Sequence, residues 1–445
     1  MTTLNLYSCR SPYLDSDKVY PPLGILYLKS AINATLPQVK VNLVDNYNPE
    51  DKDQMSLLAE ADYQGVSIMT PQRAEATKLR DTLKHYNPKT VTIAGGPHIK
   101  HYFEEAKHEP WDYLVTDDGQ RALFKILLGR ANKIETDKMS KEEWGMMPRP
   151  DRTSQGAKNM LSHYSYKLDG RPSTTMLTAT GCPMACTFCE DAQTASRWSP
   201  LEKITKELDD ITKLGYTGVY LFDDLFAISL KMVKPICEEL KKRDLIYRCN
   251  GQANFFTKWG EDFAKMLADT GCYEIAFGHE TGSQKILDNI RKRTSVEQNY
   301  KSTEYAKKHG IKVKSFLMLG LPGENLETMV DTERFIRETK PDDFQLAIYY
   351  PYKGTQIRDA IDKGDGSMDI QFMGEGLGAY GQKGGSTEAQ VRTGALSQTE
   401  LLSFRDYLVK KYKPESHTQK WKDDKFQDTH LTDKPSFAVS SEDTE

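Results

Sequence analysis

One stretch decides how the rest of the chain is interpreted: Gly181-Cys182-Pro183-Met184-Ala185-Cys186-Thr187-Phe188-Cys189-Glu190. Its three cysteines have C-x-x-x-C-x-x-C spacing, and an aromatic residue directly precedes the third. Cubane iron–sulfur clusters are usually held by four thiolates, and no fourth cysteine lies nearby. The motif therefore predicts that Cys182, Cys186 and Cys189 hold three irons of a 4Fe-4S cluster and leave one iron open. A zinc site or a disulfide pair is the alternative, although zinc prefers four closed N or S ligands.

The composition is that of a soluble globular protein. The chain has 445 residues, of which 38% are hydrophobic and 28% are charged, and its net charge is −4. It has no run of about 18 apolar residues that could span a membrane, and its first residues lack the basic-then-apolar order of a signal peptide. The balanced charge gives no footprint for nucleic-acid binding. Seven cysteines, three of them clustered, indicate a reducing compartment, so we expect a cytoplasmic protein.

Residues 1–130 alternate short β-rich segments with helical ones. The predicted strands are residues 4–7, 39–44, 65–68, 91–94 and 113–115. Such alternation predicts an α/β domain with a doubly wound, Rossmann-like parallel sheet that is covered by helices on both faces. Ligands of such sheets bind at the carboxyl ends of the strands. The carboxyl ends of these strands are followed by residues 8–10, 69–71, 95–98 and 116–120.

A second alternating series follows residues 131–170, which we interpret as a linker. Its six predicted strands are residues 174–179, 219–222, 246–249, 273–277, 313–318 and 344–349. Six consecutive βα units predict a partial (β/α)6 barrel over residues 171–360, with its active site at the carboxyl ends of the strands. The three cysteines follow the first of these strands. Beyond the barrel we expect a C-terminal cap over residues 361–412 and a disordered tail over residues 413–445.

Polar and glycine-rich motifs follow three of the later barrel strands. Asp223 and Asp224 come after the second strand, Glu280 after the fourth, and Gly320-Leu321-Pro322-Gly323-Glu324 after the fifth. Carboxylates suit a ligand that carries an ammonium group, and glycine lets a flat base lie against the backbone. Each motif by itself is more often a helix cap or a turn. Their occurrence at three strand ends downstream of the cysteines indicates a common binding site.

Taken together, the cysteine motif and these strand ends resemble the radical S-adenosylmethionine (SAM) superfamily. The resemblance implies that the amino and carboxylate groups of SAM bind the open iron. It also implies that an electron from the cluster cleaves SAM to a 5′-deoxyadenosyl radical, with a low-potential donor such as flavodoxin or ferredoxin as partner. The implied SAM contacts are Phe188, Asp223, Asp224, Glu280, Gly320 and Leu321.

Segments outside the cysteine motif narrow this resemblance to radical SAM enzymes that have an N-terminal cobalamin-binding domain. Residues 21–28, 65–68 and 95–98 are similar to recurring segments of that domain. The stretch Tyr349-Tyr350-Pro351-Tyr352-Lys353-Gly354-Thr355 is similar to the subfamily's Pro-x-Pro-Gly-Thr stretch, with Lys353 in place of the second proline. The resemblance covers about residues 1–355 and implies that the strand ends of the first domain bind the corrin and its nucleotide tail. The implied contacts are Ser67, Thr70, Gly95, Gly96 and His98.

Some features of the subfamily are absent from this sequence. No Asp-x-His-x-x-Gly motif occurs, and we interpret His98 as a turn or tail contact rather than a cobalt ligand. The subfamily's Gly-Glu-Gly-Glu-like segment has become Thr116-Asp117-Asp118-Gly119-Gln120, without its first glycine and second acid. The three additional cluster cysteines of a methylthiotransferase are missing too, because Cys9 stands alone in the first domain.

The resemblance implies a cobalamin-dependent radical SAM enzyme that methylates an unactivated carbon of an unknown substrate. Tyr349 and Tyr350, at the end of the sixth barrel strand, are candidate catalytic residues that line the substrate space, or they simply pack. Two other functions stay open. One is a radical SAM enzyme of the same architecture that catalyses cyclisation, oxidation or rearrangement. The other is a non-catalytic iron–sulfur or corrin-binding protein.

Overall fold

The computed structural model describes residues 1–11, 18–45, 47–374 and 388–414. The chain divides into two compact units. Unit 1 comprises residues 1–166 and 202–214, and unit 2 comprises residues 167–201 and the described residues from 215 onward. The predicted tail from residue 415 and residues 375–387 of the predicted cap lie outside the described residues. No helix within the described ranges combines the length and the apolar character that crossing a membrane requires.

Unit 1 contains a parallel sheet with the strand order β2-β1-β3-β4-β5-β6. Its strands are β1 Thr3–Ser8, β2 Lys40–Val44, β3 Tyr63–Ser67, β4 Val91–Gly95, β5 Tyr113–Val115 and β6 Ile134–Glu135. Because β2 and β3 lie on opposite sides of β1, the direction of winding reverses between β1 and β3. Open α/β sheets bind ligands at such a reversal, beside the carboxyl ends of the strands.

Helices cover both faces of this sheet. In chain order, the helices of this unit are α1 Leu23–Thr35, α2 Lys52–Ala59, α3 Arg73–Tyr86, α4 Pro97–His101, α5 Phe103–Ala106, α6 Gly119–Leu127, α7 Lys141–Met146, α8 Gln155–Leu161 and α9 Leu201–Lys213. Leu4 and Leu6 of β1 pack with α1, α6 and α8, whereas Tyr7 packs with α2 and α3. Successive strand residues thus point into two apolar clusters, as expected for a buried parallel sheet.

Residues 131–170, where the sequence predicts a linker, contain β6, α7, α8 and a further two-residue strand, Lys167–Leu168. The two-residue strand β6 has too short an apolar pattern to be recognised from sequence. After α7, the fully buried guanidinium of Arg152 forms an ion pair with Glu207 of α9, with 2.8 Å between Nη2 and Oε1. Arg149 pairs with Asp210 one turn further along α9, with an Nε–Oδ2 distance of 2.6 Å. These two pairs attach α9 to the segment that follows β6 within unit 1.

Unit 2 contains a seven-stranded sheet with the order β15-β14-β13-β12-β11-β8-β7. The strands of unit 2 are β7 Lys167–Leu168, β8 Arg171–Met176, β9 Ala179–Thr180, β10 Arg197–Trp198, β11 Gly218–Leu221, β12 Ile246–Gly251, β13 Cys272–Glu280, β14 Lys312–Leu319, β15 Asp343–Ile348, β16 Ile370–Phe372 and β17 Val391–Thr393. The six strands from β8 to β15 in this sheet are neighbours in chain order and are parallel. The sheet is open, so the prediction of a partial (β/α)6 barrel after a doubly wound domain is confirmed.

The helices of unit 2 follow the barrel strands or belong to the C-terminal region. They are α10 Leu230–Lys242, α11 Ala253–Trp259, α12 Glu261–Asp269, α13 Gln284–Asn289, α14 Val296–Lys308, α15 Leu326–Thr339, α16 Gln356–Asp362 and α17 Gln398–Tyr412. Side-chain caps fix several of their starts. Ser295 and Gln298 form a reciprocal capping box at α14, and Thr355 accepts a hydrogen bond from the Arg358 N–H at α16. Such caps satisfy backbone donors that lack helical partners.

Gly96 has a conformation that requires glycine. It lies between β4 and α4 with φ +97° and ψ −179°, a region that side chains essentially exclude. A Cβ at this position would lie 2.8 Å from both N and O of Ile68. Those atoms are already used, because Ile68 N donates to Gly95 O and Ile68 O accepts from His98 N. The chain segments after β3 and β4 can approach this closely only with glycine at residue 96.

We predict that Gly96→Ala destabilises unit 1 by about 1–3 kcal/mol, because the new Cβ adds a backbone clash to an unfavourable φ. Urea unfolding followed by circular dichroism measures the effect as a lower unfolding midpoint. Gly24→Ala is the control, since a Cβ at Gly24 would meet nothing within 4 Å. Equal midpoints for the two variants would contradict the prediction.

Candidate functional site

The three cysteines lie on a loop of unit 2 that the short antiparallel strands β9 and β10 close. Hydrogen bonds between residues of the loop hold its two ends together. Cys182 N donates to Thr194 Oγ1 at 2.8 Å, Thr194 N donates to Cys182 O at 2.9 Å, and Gln193 N donates to Met184 O at 2.7 Å. The loop follows β8, the first strand of the barrel, so it lies at the carboxyl end of the barrel sheet as the sequence predicts.

The three thiols share one apolar environment and are not joined by a disulfide. Cys182, Cys186 and Cys189 pack in a single cluster that includes Phe188 and Leu225. Burial raises the pKa of all three thiols, and that of Cys189 rises to about 12. Among the described residues, no three His, Cys, Asp or Glu side chains converge on a single metal ion. A cubane cluster does not require its ligands to converge on one metal ion, because each thiolate binds its own iron. Three thiols on one loop are compatible with such a cluster.

A buried ion pair that sequence reasoning missed lies beside the thiols. Lys292 follows α13 and is 7% exposed, and its Nζ lies 2.5 Å from Glu280 Oε1 at the end of β13. The same Nζ lies 5.7 Å from the centroid of the Phe188 ring. Lys292 occurs in Arg291-Lys292-Arg293, which resembles an ordinary solvated basic run, so sequence offers no signal for it. The cation is close enough to the thiols to lower the pKa of Cys186 against the larger effect of burial.

The segment that carries Lys292 is tied directly to the cysteine loop. Thr187, between the second and third cysteines, donates its N–H to Ile290 O at 3.0 Å. Gln252 Nε2 donates to Lys292 O at 2.9 Å, and Asn254 Nδ2 donates to Arg293 O at 3.1 Å. These bonds connect the segment after α13 with the end of β12 and with the loop after β8, so the thiols and the ion pair are held in fixed positions relative to each other.

The two adjacent aspartates after β11 have different environments. Asp223 is buried, and its carboxylate accepts from Thr178 N at 2.7 Å, from Ala179 N at 3.1 Å and from the Thr178 hydroxyl. Burial raises its pKa to about 7 despite these donors. Asp224 is exposed and accepts from Gly181 N at 2.7 Å. Asp223 therefore holds the chain entering the cysteine loop, whereas Asp224 contacts the first residue of the motif itself.

The Gly320–Glu324 loop after β14 is closed by a buried carboxyl. Glu324 is fully buried, and its Oε2 accepts from the N–H groups of Gly320 and Leu321. Gly320 has φ +85°, and a Cβ there would lie 2.9 Å from Val391 Cγ2. Thr393 of β17 donates its hydroxyl to Glu324 O at 2.8 Å. The C-terminal strand thus supports this loop, and because the Leu321 side chain belongs to the core, only its backbone can face a ligand.

Three other polar or aromatic residues near the strand ends are engaged in packing. Tyr349 belongs to the large apolar core of unit 2, and Tyr350 packs against Tyr352 and Phe372 with ring centroids 5.0 and 5.6 Å apart. His279 is fully buried between Ser315 and Ser302, and burial lowers its pKa to about 3. It is therefore a neutral imidazole at physiological pH.

Unit 1 has a cavity of about 270 Å³ at the carboxyl ends of β3, β4 and β5. The predicted residues Ser67, Gly95 and Gly96 line it. Of the described residues predicted here, Thr70 and His98 are not part of the lining. Thr70 begins a short 3-10 turn, and His98 stacks on Tyr102 with centroids 5.1 Å apart. The lining also includes the strand residues Leu6, Gly65 and Ile93. Asp117, Asp118 and Gly119, which follow β5, line it as well.

Comparison with protein families matches residues 176–336 to the radical SAM superfamily. The match begins at the end of β8 and ends within α15, so it includes the cysteine loop, both aspartates, Glu280, Lys292 and the Gly320–Glu324 loop.

Two curated proteins are similar over most of the chain. An uncharacterized methyltransferase of Pyrococcus horikoshii is 28% identical over 360 residues, which cover 76% of this chain and 77% of that protein. The anaerobic magnesium-protoporphyrin IX monomethyl ester cyclase of Rubrivivax gelatinosus is 24% identical over 366 residues, which cover 75% of this chain and 65% of the cyclase. The chain thus spans slightly less than two thirds of the cyclase's length.

A solved structure has a similar fold across both units' sequence ranges. It is the radical SAM methyltransferase TsrM of Kitasatospora setae, determined with cobalamin and a [4Fe-4S] cluster bound. The TM-score is 0.65 at 14% identity, and the match covers 85% of this chain and 79% of TsrM. At this level of identity the likeness concerns the fold. The cofactors named for TsrM include two of the three that the sequence analysis predicts.

We predict that Glu324 makes the stability of the cofactor-free protein fall as pH rises. Burial raises the pKa of Glu324 from 4.5 to about 8, so the folded state keeps a proton that the unfolded state releases above pH 4.5. Its contribution is therefore complete below pH 4.5 and declines between pH 4.5 and 8, by at most about 1.4 kcal/mol per pH unit.

Urea unfolding of the wild type and of Glu324→Gln between pH 5 and 8 measures this dependence. The glutamine keeps an acceptor for the Gly320 and Leu321 N–H groups but does not titrate, so the wild-type curve should fall relative to the variant's. Parallel curves would show that Glu324 has an ordinary pKa.

Proposed function

Because residues 176–336 are a radical SAM domain, we propose that this chain is a cobalamin-dependent radical SAM methyltransferase that methylates an unactivated carbon. The observation that carries the proposal is the grouping at one end of the barrel sheet. Three free thiols on one loop lie beside the carboxylate of Glu280 and the ammonium of Lys292. This grouping offers ligands for a cluster together with charges for an amino acid.

Cys182, Cys186 and Cys189 would hold three irons of a 4Fe-4S cluster and leave the fourth for SAM. When bound, the cluster supplies the electron that cleaves SAM to a 5′-deoxyadenosyl radical, and cobalamin supplies the methyl group. The chain's own task is to bind these groups, orient them and exclude water. The apolar packing of Met184, Phe188 and Leu225 around the thiols supports the last of these roles.

The amino-acid end of SAM carries an ammonium and a carboxylate, and the site offers a charge for each. Glu280 and Asp224 are the proposed partners of the ammonium. Asp223 supports Asp224 by holding the backbone of Thr178 and Ala179, and its own contact with SAM stays a prediction. The backbone of Gly320 and Leu321 is the proposed support for adenine. The Phe188 ring would lie at the cluster, where it packs with the thiols.

The cavity of unit 1 suits the nucleotide tail of a corrin. Its lining by Ser67, Gly65, Gly95, Gly96 and Gly119 lets a planar group approach the backbone closely. Gly65 is already tight, because a Cβ there would lie 3.0 Å from Leu6 Cδ2. Thr70 and His98, outside the lining, are less suited to contact the tail, and their contact with cobalamin stays a prediction.

Tyr349 and Tyr350 remain the proposed substrate-facing residues after β15. Their burial favours a role in shaping the wall of the substrate space over a role in proton transfer, since burial also raises the pKa of Tyr349 well above its ordinary value. The proposed reductant is a low-potential donor such as flavodoxin or ferredoxin, and the proposed compartment is the cytoplasm.

A second function, radical chemistry without methyl transfer, is favoured by one observation. The Rubrivivax gelatinosus relative is a cyclase, and it is 24% identical to this chain. The Pyrococcus horikoshii methyltransferase is 28% identical, so sequence identity alone does not separate the two functions. The product mass distinguishes the two functions. Methylation adds about one methylene unit to the substrate, whereas cyclisation or oxidation removes hydrogen and rearrangement leaves the mass unchanged.

We predict that Cys186→Ala abolishes both cluster retention and SAM cleavage, because a cubane cluster loses its hold when one of three thiolates is removed. The measurement is iron and sulfide content after anaerobic reconstitution, followed by 5′-deoxyadenosine formation with dithionite. Cys272→Ala is the control, since this buried thiol donates to Glu274 O and lies outside the proposed site. Deoxyadenosine formation by Cys186→Ala would contradict the assignment of the three cysteines as cluster ligands.

We predict that the reconstituted wild type retains about one equivalent of hydroxocobalamin and that Gly95→Val retains at least about tenfold less. The valine adds methyl groups to the cavity lining, while its Cβ makes only ordinary contact with Val115 at 3.5 Å. Corrin absorbance per chain after gel filtration measures retention. Gly366→Val is the control, because a Cβ there meets nothing within 4 Å. SAM cleavage without corrin retention by the wild type would direct the search to the second function.

A further inference from the structure

The ammonium group of Lys292 is buried beside the apolar cluster of the three thiols, where burying a charge is energetically unfavourable. Lysine is almost never fully buried unless it is paired, and Lys292 has one carboxylate partner, Glu280, at 2.5 Å. Both side chains are 9% exposed. An ion pair of two isolated charges in such surroundings contributes little net stability. Its presence beside the thiols therefore suggests a role other than stabilising the fold.

The backbone is bent to bring this lysine inward. Arg291 and Arg293, on either side of Lys292, both have left-handed backbone angles, with φ +50° and +55°, and Glu280 has φ +63°. Non-glycine residues in this region are energetically unfavourable and cluster at functional sites. The two arginines are exposed, whereas the lysine between them is buried. The chain thus uses three unfavourable residues to place one cation and its partner.

The cation is placed relative to the thiols by direct bonds. The Thr187 N–H bonds to Ile290 O at 3.0 Å, and Gln252 Nε2 bonds to Lys292 O. The Lys292 Nζ lies 5.7 Å from the Phe188 ring centroid, and Phe188 belongs to the same apolar cluster as the three cysteines. The distance between the ammonium and a cluster on these thiols is therefore set by the protein and does not depend on a flexible side chain reaching from solvent.

We propose that Lys292, held by Glu280, raises the reduction potential of the cluster bound to Cys182, Cys186 and Cys189. A 4Fe-4S core of charge +2 on three thiolates has a net charge of −1, and one electron from the reductant makes it −2. A fixed cation in an apolar environment stabilises the more negative state. Lys292 thus acts by placing a positive charge near the cluster. The inference rests on the proposed function because it requires a cluster on the three thiols.

Opposite substitutions in the pair should shift the potential in opposite directions. Lys292→Met removes the cation and keeps a side chain of similar length, so the cluster becomes harder to reduce. Glu280→Gln removes the negative charge and leaves the cation, so the cluster becomes easier to reduce. A general loss of structure would not give opposite signs.

The experiment is a redox titration of the anaerobically reconstituted full chain, without SAM, with the reduced cluster followed by electron paramagnetic resonance. Leaving SAM out separates the potential from any contact that Glu280 makes with SAM. We expect at least a tenfold lower ratio of reduced to oxidised cluster in Lys292→Met at the wild-type midpoint, which is about 59 mV for one electron. Glu280→Gln should have a midpoint above the wild type.

Lys314→Met is the matched control. Lys314 forms an ion pair with Asp343 at 2.9 Å in the same barrel sheet, and its partner is 6% exposed, but it lies on β14 away from the cysteine loop. Its midpoint should equal that of the wild type. If Lys292→Met retains its cluster with a midpoint equal to or above the wild type, the inference is overturned. If the wild type retains no cluster or does not cleave SAM, the proposed function itself fails.

Discussion

The ion pair between Lys292 and Glu280 constrains the arrangement of the residues around it. It brings opposite charges into the apolar surroundings of the three thiols, and it leaves no room for a side chain at Gly278. A Cβ there would lie 2.5 Å from Glu280 Oε1 and 2.9 Å from Lys292 Nζ. The Thr187 N–H also bonds to Ile290 O. The cysteine loop, the end of β13 and the segment after α13 are therefore held in fixed positions relative to one another.

Buried carboxyls hold the neighbouring loops. Asp223 accepts backbone hydrogen bonds from Thr178 and Ala179, and Glu324 accepts them from Gly320 and Leu321. In both cases the carboxyl of a motif residue accepts hydrogen bonds from backbone N–H groups of a nearby loop. A carboxyl is suited to this task because its oxygens accept several N–H groups that would otherwise be unpaired in the interior.

The two units place their candidate binding residues in the same way. Each is built on parallel strands, and each has its small or polar residues at the carboxyl ends of those strands, where the loops are free to vary. In unit 1 these are Ser67, Gly95 and Gly96. In unit 2 they are the cysteine loop and the ends of β11, β13 and β14. The helices and the apolar clusters under them supply the rigidity on which these ends depend.

The sequence by itself determined five strands of the first sheet, six strands of the second, the partial barrel and the grouping of Cys182, Cys186 and Cys189. These rest on local periodicity and on short spacing, which the chain carries within a few residues. Only the tertiary structure decided that Lys292 turns inward between two exposed arginines, that Asp223 is buried while Asp224 is exposed, and that residues 131–170 contain β6, α7, α8 and β7. Each of these depends on contacts between residues tens of positions apart, such as Arg152 with Glu207, and no local pattern records them.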